Sequence, residues 1–148
     1  MKIDTVCFSG HRKIPPEELE RIKKELRITV LGLIERGYTK FYTGGAEGFD
    51  FLATESVAEM KREFPDIILK IIFPYKSARK ENEYKTLLPY VNGIEYACDK
   101  YYSWAYHERN RMMVDRSSVC VCYLTKQSGG TAYTASYALE NGAEIIMI

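Results

Sequence analysis

The chain has 148 residues, 46% hydrophobic and 28% charged, and its 21 basic and 20 acidic side chains leave a net charge of +1. A chain of this length can bury roughly two-thirds of its unfolded surface, and its composition is that of an ordinary globular protein. The balanced charge excludes a global field for membrane or nucleic acid, making nucleic acid an unlikely partner, and no apolar run approaches the ~18 residues that span a bilayer.

Met1-Lys2-Ile3-Asp4 passes directly into a strand, Ile3 to Ser9, with no apolar leader region, so a cytoplasmic location and no membrane partner are expected. Pro15-Pro16 opens a helix with Glu17 and Glu18 in its first turn, where carboxylates suit the helix dipole. Its apolar positions, Leu19, Ile22, Leu26, Val30 and Leu33, recur at helical spacing until Gly37. Lys40 to Thr43 is a brief second strand. A helix follows with the apolar face Phe49, Leu52, Ala53, Val57, Met60 and Phe64, stopped by Pro65.

Ile67 to Phe73 is nearly continuous β-branched sequence, as expected of a strand covered on both faces, and Pro74-Tyr75 closes it. A short helix around Glu81 to Leu88, a strand Ile94 to Cys98 and a helix from about Tyr102 to Arg116 come next. The strand Val119 to Leu124, a helix from Thr131 to Asn141 capped by Gly142, and a strand Glu144 to Ile148 complete the pattern. Regular alternation of strand and helix predicts an α/β fold: a Rossmann-like, doubly wound, mainly parallel sheet with helices on both faces. Residues 1–148 read as one domain, without repeats or linkers. Cys7, Cys98, Cys120 and Cys122 lie in or near apolar strands and lack metal or redox spacing, so buried reduced thiols are expected and no metal site.

Three glycine turns leave strand ends and enter helices: Ser9-Gly10-His11-Arg12, Thr43-Gly44-Gly45-Ala46-Glu47-Gly48-Phe49-Asp50 and Gln127-Ser128-Gly129-Gly130-Thr131. In a parallel sheet all three open on the carboxyl edge, where α/β sheets bind ligands and helix N-termini offer amides to phosphate. Arg12 can fork onto a phosphate and Ser9 can donate a hydroxyl, while His11 either touches ligand or bonds local backbone. Glu47 and Asp50 either cap the helix or accept from ribose hydroxyls; with Arg109 they are the candidate catalytic groups. The third turn lacks the lysine of a Walker loop.

On the helix before the fifth strand, Tyr106, Asn110 and Met113 share a face beside Arg109, and Asn110 there needs a partner such as a loop or a base edge. Arg111 and Asp115 are spaced for a surface pair, and His107 reads as a solvated or capped residue. Tyr84, Tyr90, Tyr96, Tyr101, Tyr102 and Tyr106 crowd one stretch with Trp104, read as a surface layer or lid rather than a base-stacking platform.

Ser-Gly-His-Arg, Thr-Gly-Gly-Ala-Glu-Gly-Phe-Asp, Ile-Phe-Pro-Tyr, Glu-Arg-Asn-Arg-Met-Met-Val-Asp and Ser-Gly-Gly-Thr, in that order, resemble the YpsA-like family of the SLOG superfamily, from residue 7 to about 142. The superfamily is named for the Smf/DprA DNA-processing proteins and the LOG nucleotide phosphoribohydrolases. The resemblance implies a Rossmann-like sheet whose glycine loops bind a nucleotide or a derivative related to ADP-ribose. Carried over by position, the contacts are Ser9, Gly10, Arg12, Gly44, Gly45, Glu47, Asp50, Arg109, Asn110, Gly129, Gly130 and Thr131; His11, Gly48 and Ser128 of the same turns complete the fifteen expected contacts.

The third turn is similar to the Pro-Gly-Gly-x-Gly-Thr-x-x-Glu pattern of LOG enzymes, but Ser128 replaces the proline and Ser136 stands where the catalytic glutamate would fall. A binding sensor is therefore the expected function, with no demanded cofactor beyond a possible nucleotide ligand. The alternatives are a nucleotide N-glycosidase using Glu47 or Asp50, or a DprA-like binder of single-stranded DNA. Relatives of this type often pair, which makes a homodimer the expected assembly.

Overall fold

Strands whose successive side chains are all apolar must be covered on both faces, and the architecture follows from that demand. The computed structural model describes residues 2–125 and 129–148. Its strands are β1 (Thr5–Gly10), β2 (Lys40–Thr43), β3 (Ile68–Tyr75), β4 (Gly93–Cys98), β5 (Val119–Tyr123) and β6 (Glu144–Met147). They form one parallel sheet in the order β4-β3-β2-β1-β5-β6. The helices are α1 (Leu19–Glu35), α2 (Phe49–Met60), α3 (Ala78–Glu83), α4 (Ala105–Asp115) and α5 (Gly130–Glu140). No helix among the described residues is long and apolar enough to cross a membrane.

One face of the sheet presents Val6, Phe8, Phe41, Leu69, Ile71, Phe73, Val119 and Val121 to the buried stripe of α1 (Ile22, Leu26, Val30, Leu33) and to Phe49, Leu52, Ala53 and Val57 of α2. The alternate residues, Cys7, Tyr42, Ile72, Cys120 and Cys122, meet Met113 and Val114 of α4 and Ala138 of α5 on the opposite face. The fold is thus doubly wound, as the alternation of elements predicts. All four cysteines are buried and free, with Cys120 Sγ 3.5 Å from Cys122 Sγ.

Several boundaries differ from the sequence reading, each for a local reason. Lys2–Asp4 forms a 3-10 turn, so β1 begins at Thr5; the Asp4 carboxylate accepts from the Thr5 hydroxyl at 3.1 Å and bends the chain there. Helix α2 ends at Met60, ahead of Pro65. Pro74 does not close β3, because pairing continues to Tyr75 opposite Cys98. On its other side β2 has already ended at Thr43, opposite Ile71, so the missing N–H breaks no ladder. Helix α3 starts earlier than the apolar pattern suggests, since the Ser77 hydroxyl caps it by accepting from Lys80 N. The Arg111–Asp115 ion pair does not form within 4.0 Å; Asp115 accepts instead from the Tyr137 hydroxyl at 2.7 Å.

The strand order places the site. From β1 the chain winds outward through β2 and β3 to β4, then α4 carries it back across the sheet to β5 on the other flank of β1. Loops leaving β1 and β5 therefore diverge, which opens a crevice at the carboxyl edge. Behind it the second glycine turn packs tightly. Gly48 has φ +71°, and a Cβ added there would lie 2.1 Å from the Arg12 carbonyl oxygen. Gly130, at the start of α5, has nothing within 4 Å of the same position.

Replacing Gly48 with alanine should cost more than about 2 kcal/mol in urea unfolding, because strain and backbone overlap coincide. Gly130→Ala should stay within about 0.5 kcal/mol of the parent. Equal losses at the two positions would refute this account of the loops.

Candidate functional site

The carboxyl edge of β1, β2 and β5 encloses a cleft of about 1030 Å³. Its wall contains Ser9, Gly10, His11 and Arg12 from the first turn, Asp50 from the start of α2, Arg109 and Asn110 from α4, and Gly129, Gly130 and Thr131 from the start of α5. Ten of the fifteen expected contacts are thereby brought together. Ser128 lies outside the described residues.

Gly44, Gly45, Glu47 and Gly48 are not on the cleft wall. Gly44 sits beneath two charges, its carbonyl accepting from Arg109 Nη1, and a Cβ there would lie 2.6 Å from that nitrogen and 2.7 Å from Asp50 Oδ2. Gly45 leaves room for the Phe73 ring, which a Cβ would approach to 2.4 Å. The second turn needs its glycines for close packing rather than for open amides. Glu47 is exposed and faces two smaller neighbouring cavities.

His11 ties the loops together. Its carbonyl accepts from Phe49 N at 3.1 Å, and its Nε2 accepts from Thr125 N at 2.9 Å. A ring nitrogen that already accepts a backbone proton is not placed to act as a general base. The ring thus bonds the backbone of a residue 114 positions away rather than that of its own turn, and it also lines the cleft.

Asp50 and Arg109 are each about 95% buried, together over Gly44 at the place where a side chain would stand. Burial pushes the Asp50 carboxyl above its ordinary value, against the pull of Arg109, the Ala46 amide, Arg12 and Lys80. The hydrogen bond from Ala46 N to Asp50 Oδ2 is 3.3 Å long. Burial likewise lowers the Arg109 guanidinium, which Asp50 supports and Arg12 opposes. Asn110 Oδ1 accepts from Arg109 Nε at 2.6 Å, so the partner required by this asparagine is its own neighbour. Behind them the Tyr84 hydroxyl, held protonated by burial and by Asp50, donates to the Ala46 carbonyl.

Two cleft residues were misread from sequence. His107 is part of the wall, its ring edge-on to Tyr133 at 4.7 Å, and its buried Nδ1 has no hydrogen-bond partner among the described residues. Only its position one turn before Arg111 and two residues before Arg109 could have hinted at this. Tyr106 carries the Arg12 guanidinium 4.5 Å from its ring centre. Burial works to raise its hydroxyl, but Tyr75, Lys80 and Arg12 outweigh that and lower it. Of the other aromatics grouped as a surface layer, Tyr84 belongs instead to the core, 1% exposed. Tyr101 and Trp104 do stand at the surface, and Tyr102 stacks on Trp104 at 4.7 Å and 10°.

Arg109→Met should destabilise the fold by about 3–5 kcal/mol at neutral pH, since it strands a buried carboxylate. The native carboxyl binds its proton more tightly than the unfolded one, so stability falls as pH rises through the window between the two values. The deficit should therefore shrink between pH 7 and pH 5 in urea titrations. A deficit independent of pH would remove Asp50 from the argument.

Comparison with known proteins places this geometry among relatives. The model of a family described as "YspA SLOG family" matches residues 10–145. No curated protein matches the chain. Among solved structures, it is similar to the X-ray structure of DNA processing protein A (DprA) from Streptococcus pneumoniae, with TM-score 0.73 and 15% identity over 98% of this chain and 50% of that one. DprA from Helicobacter pylori, described by its single-stranded DNA binding mode, gives TM-score 0.70 and 19% identity over 97% and 64%. The X-ray structure of TM1055 gives 0.62 and 23% over 98% and 72%. At these identities the likeness is one of fold, and the chain spans half of the first DprA and less than two thirds of the second.

Proposed function

Because this chain belongs to the YpsA family of SLOG proteins, we propose that it binds a nucleotide or a nucleotide derivative of the ADP-ribose type and acts as a sensor or regulatory module. The observation that carries the proposal is the cleft at the switch between β1 and β5, where the N-terminus of α5 converges with Arg12 and Arg109. Backbone amides at helix starts and a forked guanidinium are the donors a phosphate needs. Asn110 and Thr131 line the same wall and supply polar atoms for a sugar or base.

Binding without cleavage fits the side chains better than hydrolysis. Ser136 is exposed on α5, outside the cleft wall, at the position where a LOG-type glutamate would fall. Glu47 is outside the wall too, and Asp50 is occupied by the Ala46 amide beside Arg109.

A second reading, single-stranded nucleic acid, is favoured by one feature. Tyr101 and Trp104 are 61% and 50% exposed, Lys100 lies 5.6 Å from the Tyr102 ring, and the neighbouring Ser103 reaches the cleft. Exposed aromatics with flanking cations suit stacked bases. The net charge of +1 weighs against it.

A thermal-shift panel of AMP, ADP, ADP-ribose, NAD and a short single-stranded oligonucleotide separates these readings. A ligand at 100 times its Kd adds about 2.7 kcal/mol, or about 5–10 °C for a domain of this size. At least one mononucleotide or dinucleotide should give such a shift, and Gly130→Val, whose side chain enters open space, should abolish it without lowering the unliganded Tm. A shift with the oligonucleotide alone, steeply weakened by salt, would replace the first reading with the second.

A further inference from the structure

We propose that a second, basic pocket beside the cleft takes a second phosphate of the same ligand, so that the protein selects nucleoside diphosphates and pyrophosphate-linked nucleotides over monophosphates. The inference rests on the nucleotide reading above and names its ligand class.

The pocket has a volume of about 240 Å³ and is lined by Arg12, Tyr75, Ser77, Arg79, Lys80 and Tyr106 together with Ala46, Glu47 and Glu83. Arg12, Ala46 and Tyr106 also belong to the cleft wall, so the two cavities share a partition. The volume falls below the roughly 300–1,000 Å³ of sites that enclose whole drug-sized molecules. It suits one small anionic group at the end of a ligand seated next door.

The cations of the partition meet no carboxylate at ion-pair distance, although buried Asp50 feels both and Glu47 and Glu83 share the pocket lining. Arg12 Cζ lies 4.5 Å from the Tyr106 ring centre, and Lys80 Nζ lies 5.4 Å from the same ring and 5.6 Å from that of Tyr75. Arg109 approaches Tyr106 as well, at 5.8 Å. Elsewhere Arg21, Arg36 and Arg116 all meet carboxylates, and Arg79 is paired with Glu83 at 3.4 Å. Among the described residues no carboxylate comes within 4.0 Å of Arg12 or Lys80. Two like charges held against one ring, with hydroxyls of Ser77, Tyr75 and Tyr106 on the same lining, give an anion its donors, while Glu83 is taken up by Arg79. Arg12 can hold one phosphate from the cleft side while Lys80 holds the next.

Calorimetric titration of AMP and ADP into the parent protein, Lys80→Ala and Lys85→Ala tests this. The parent should bind ADP about tenfold more tightly than AMP, one charge-assisted contact to the added phosphate. Lys80→Ala should bring ADP down to the AMP level while AMP stays within about twofold, and Lys85→Ala, exposed and outside the pocket lining, should keep the parent's ratio. Equal binding of AMP and ADP by the parent, or a preference that survives in Lys80→Ala, overturns the second phosphate and leaves the nucleotide reading standing. Failure of AMP, ADP, ADP-ribose and NAD alike to bind overturns that reading and this inference with it.

Discussion

Everything at the carboxyl edge depends on His11 being held from two directions. Its carbonyl receives the first free amide of α2, and its ring receives the amide of Thr125 beyond β5. The loops after β1 and β5 must diverge because their helices pack on opposite faces of the sheet, and without a tie the crevice between them would have no fixed width. A histidine at this point spans the gap with a rigid ring and costs little side-chain entropy, having two rotatable bonds. Gly48 completes the arrangement, since only a residue without a side chain lets the second turn lie against the Arg12 carbonyl.

Around that tie the protein keeps two buried charges of opposite sign. Asp50 and Arg109 come from helices on opposite faces of the sheet and meet over Gly44, in the space a side chain there would fill. Neither would be tolerated alone, and together they fix how α2 and α4 stand relative to the second turn. Arg12 adds a third charge to the neighbourhood, and its repulsion adds to the burial that lowers the Arg109 guanidinium. The cleft wall sets Arg12, Lys13 and Arg109 against Glu17, Glu18 and Asp50, so any preference for an anion comes from where the cations stand and not from a net positive charge.

Much of this was legible in the chain. The alternation of strand and helix specified the doubly wound sheet, and the apolar spacing in Leu19 to Leu33 marked the buried stripe of α1 apart from half-buried Leu19. The glycine turns marked the functional edge, because a turn from strand to helix leaves a local signature. What sequence could not reveal was how each glycine is used. Gly130 opens onto space whereas Gly45 accommodates the Phe73 ring, a difference that depends on a strand more than twenty residues away. His107 was missed for the same reason: its surroundings come from α5, and nothing near it in sequence announces Tyr133. Pro74 misled because its tolerance depends on where the neighbouring strand β2 stops.

The strand order also has a consequence for biosynthesis. β1 is made before the other five strands yet lies inside the sheet, and the edge it offers to β5 has no partner until Val119–Tyr123 emerges, more than a hundred residues later. At ribosomal speeds of about 5–20 residues per second, that hydrogen-bonding edge stays bare for roughly 6–20 s on every nascent chain. During that interval Val6, Cys7 and Phe8 form an apolar template open to any other strand.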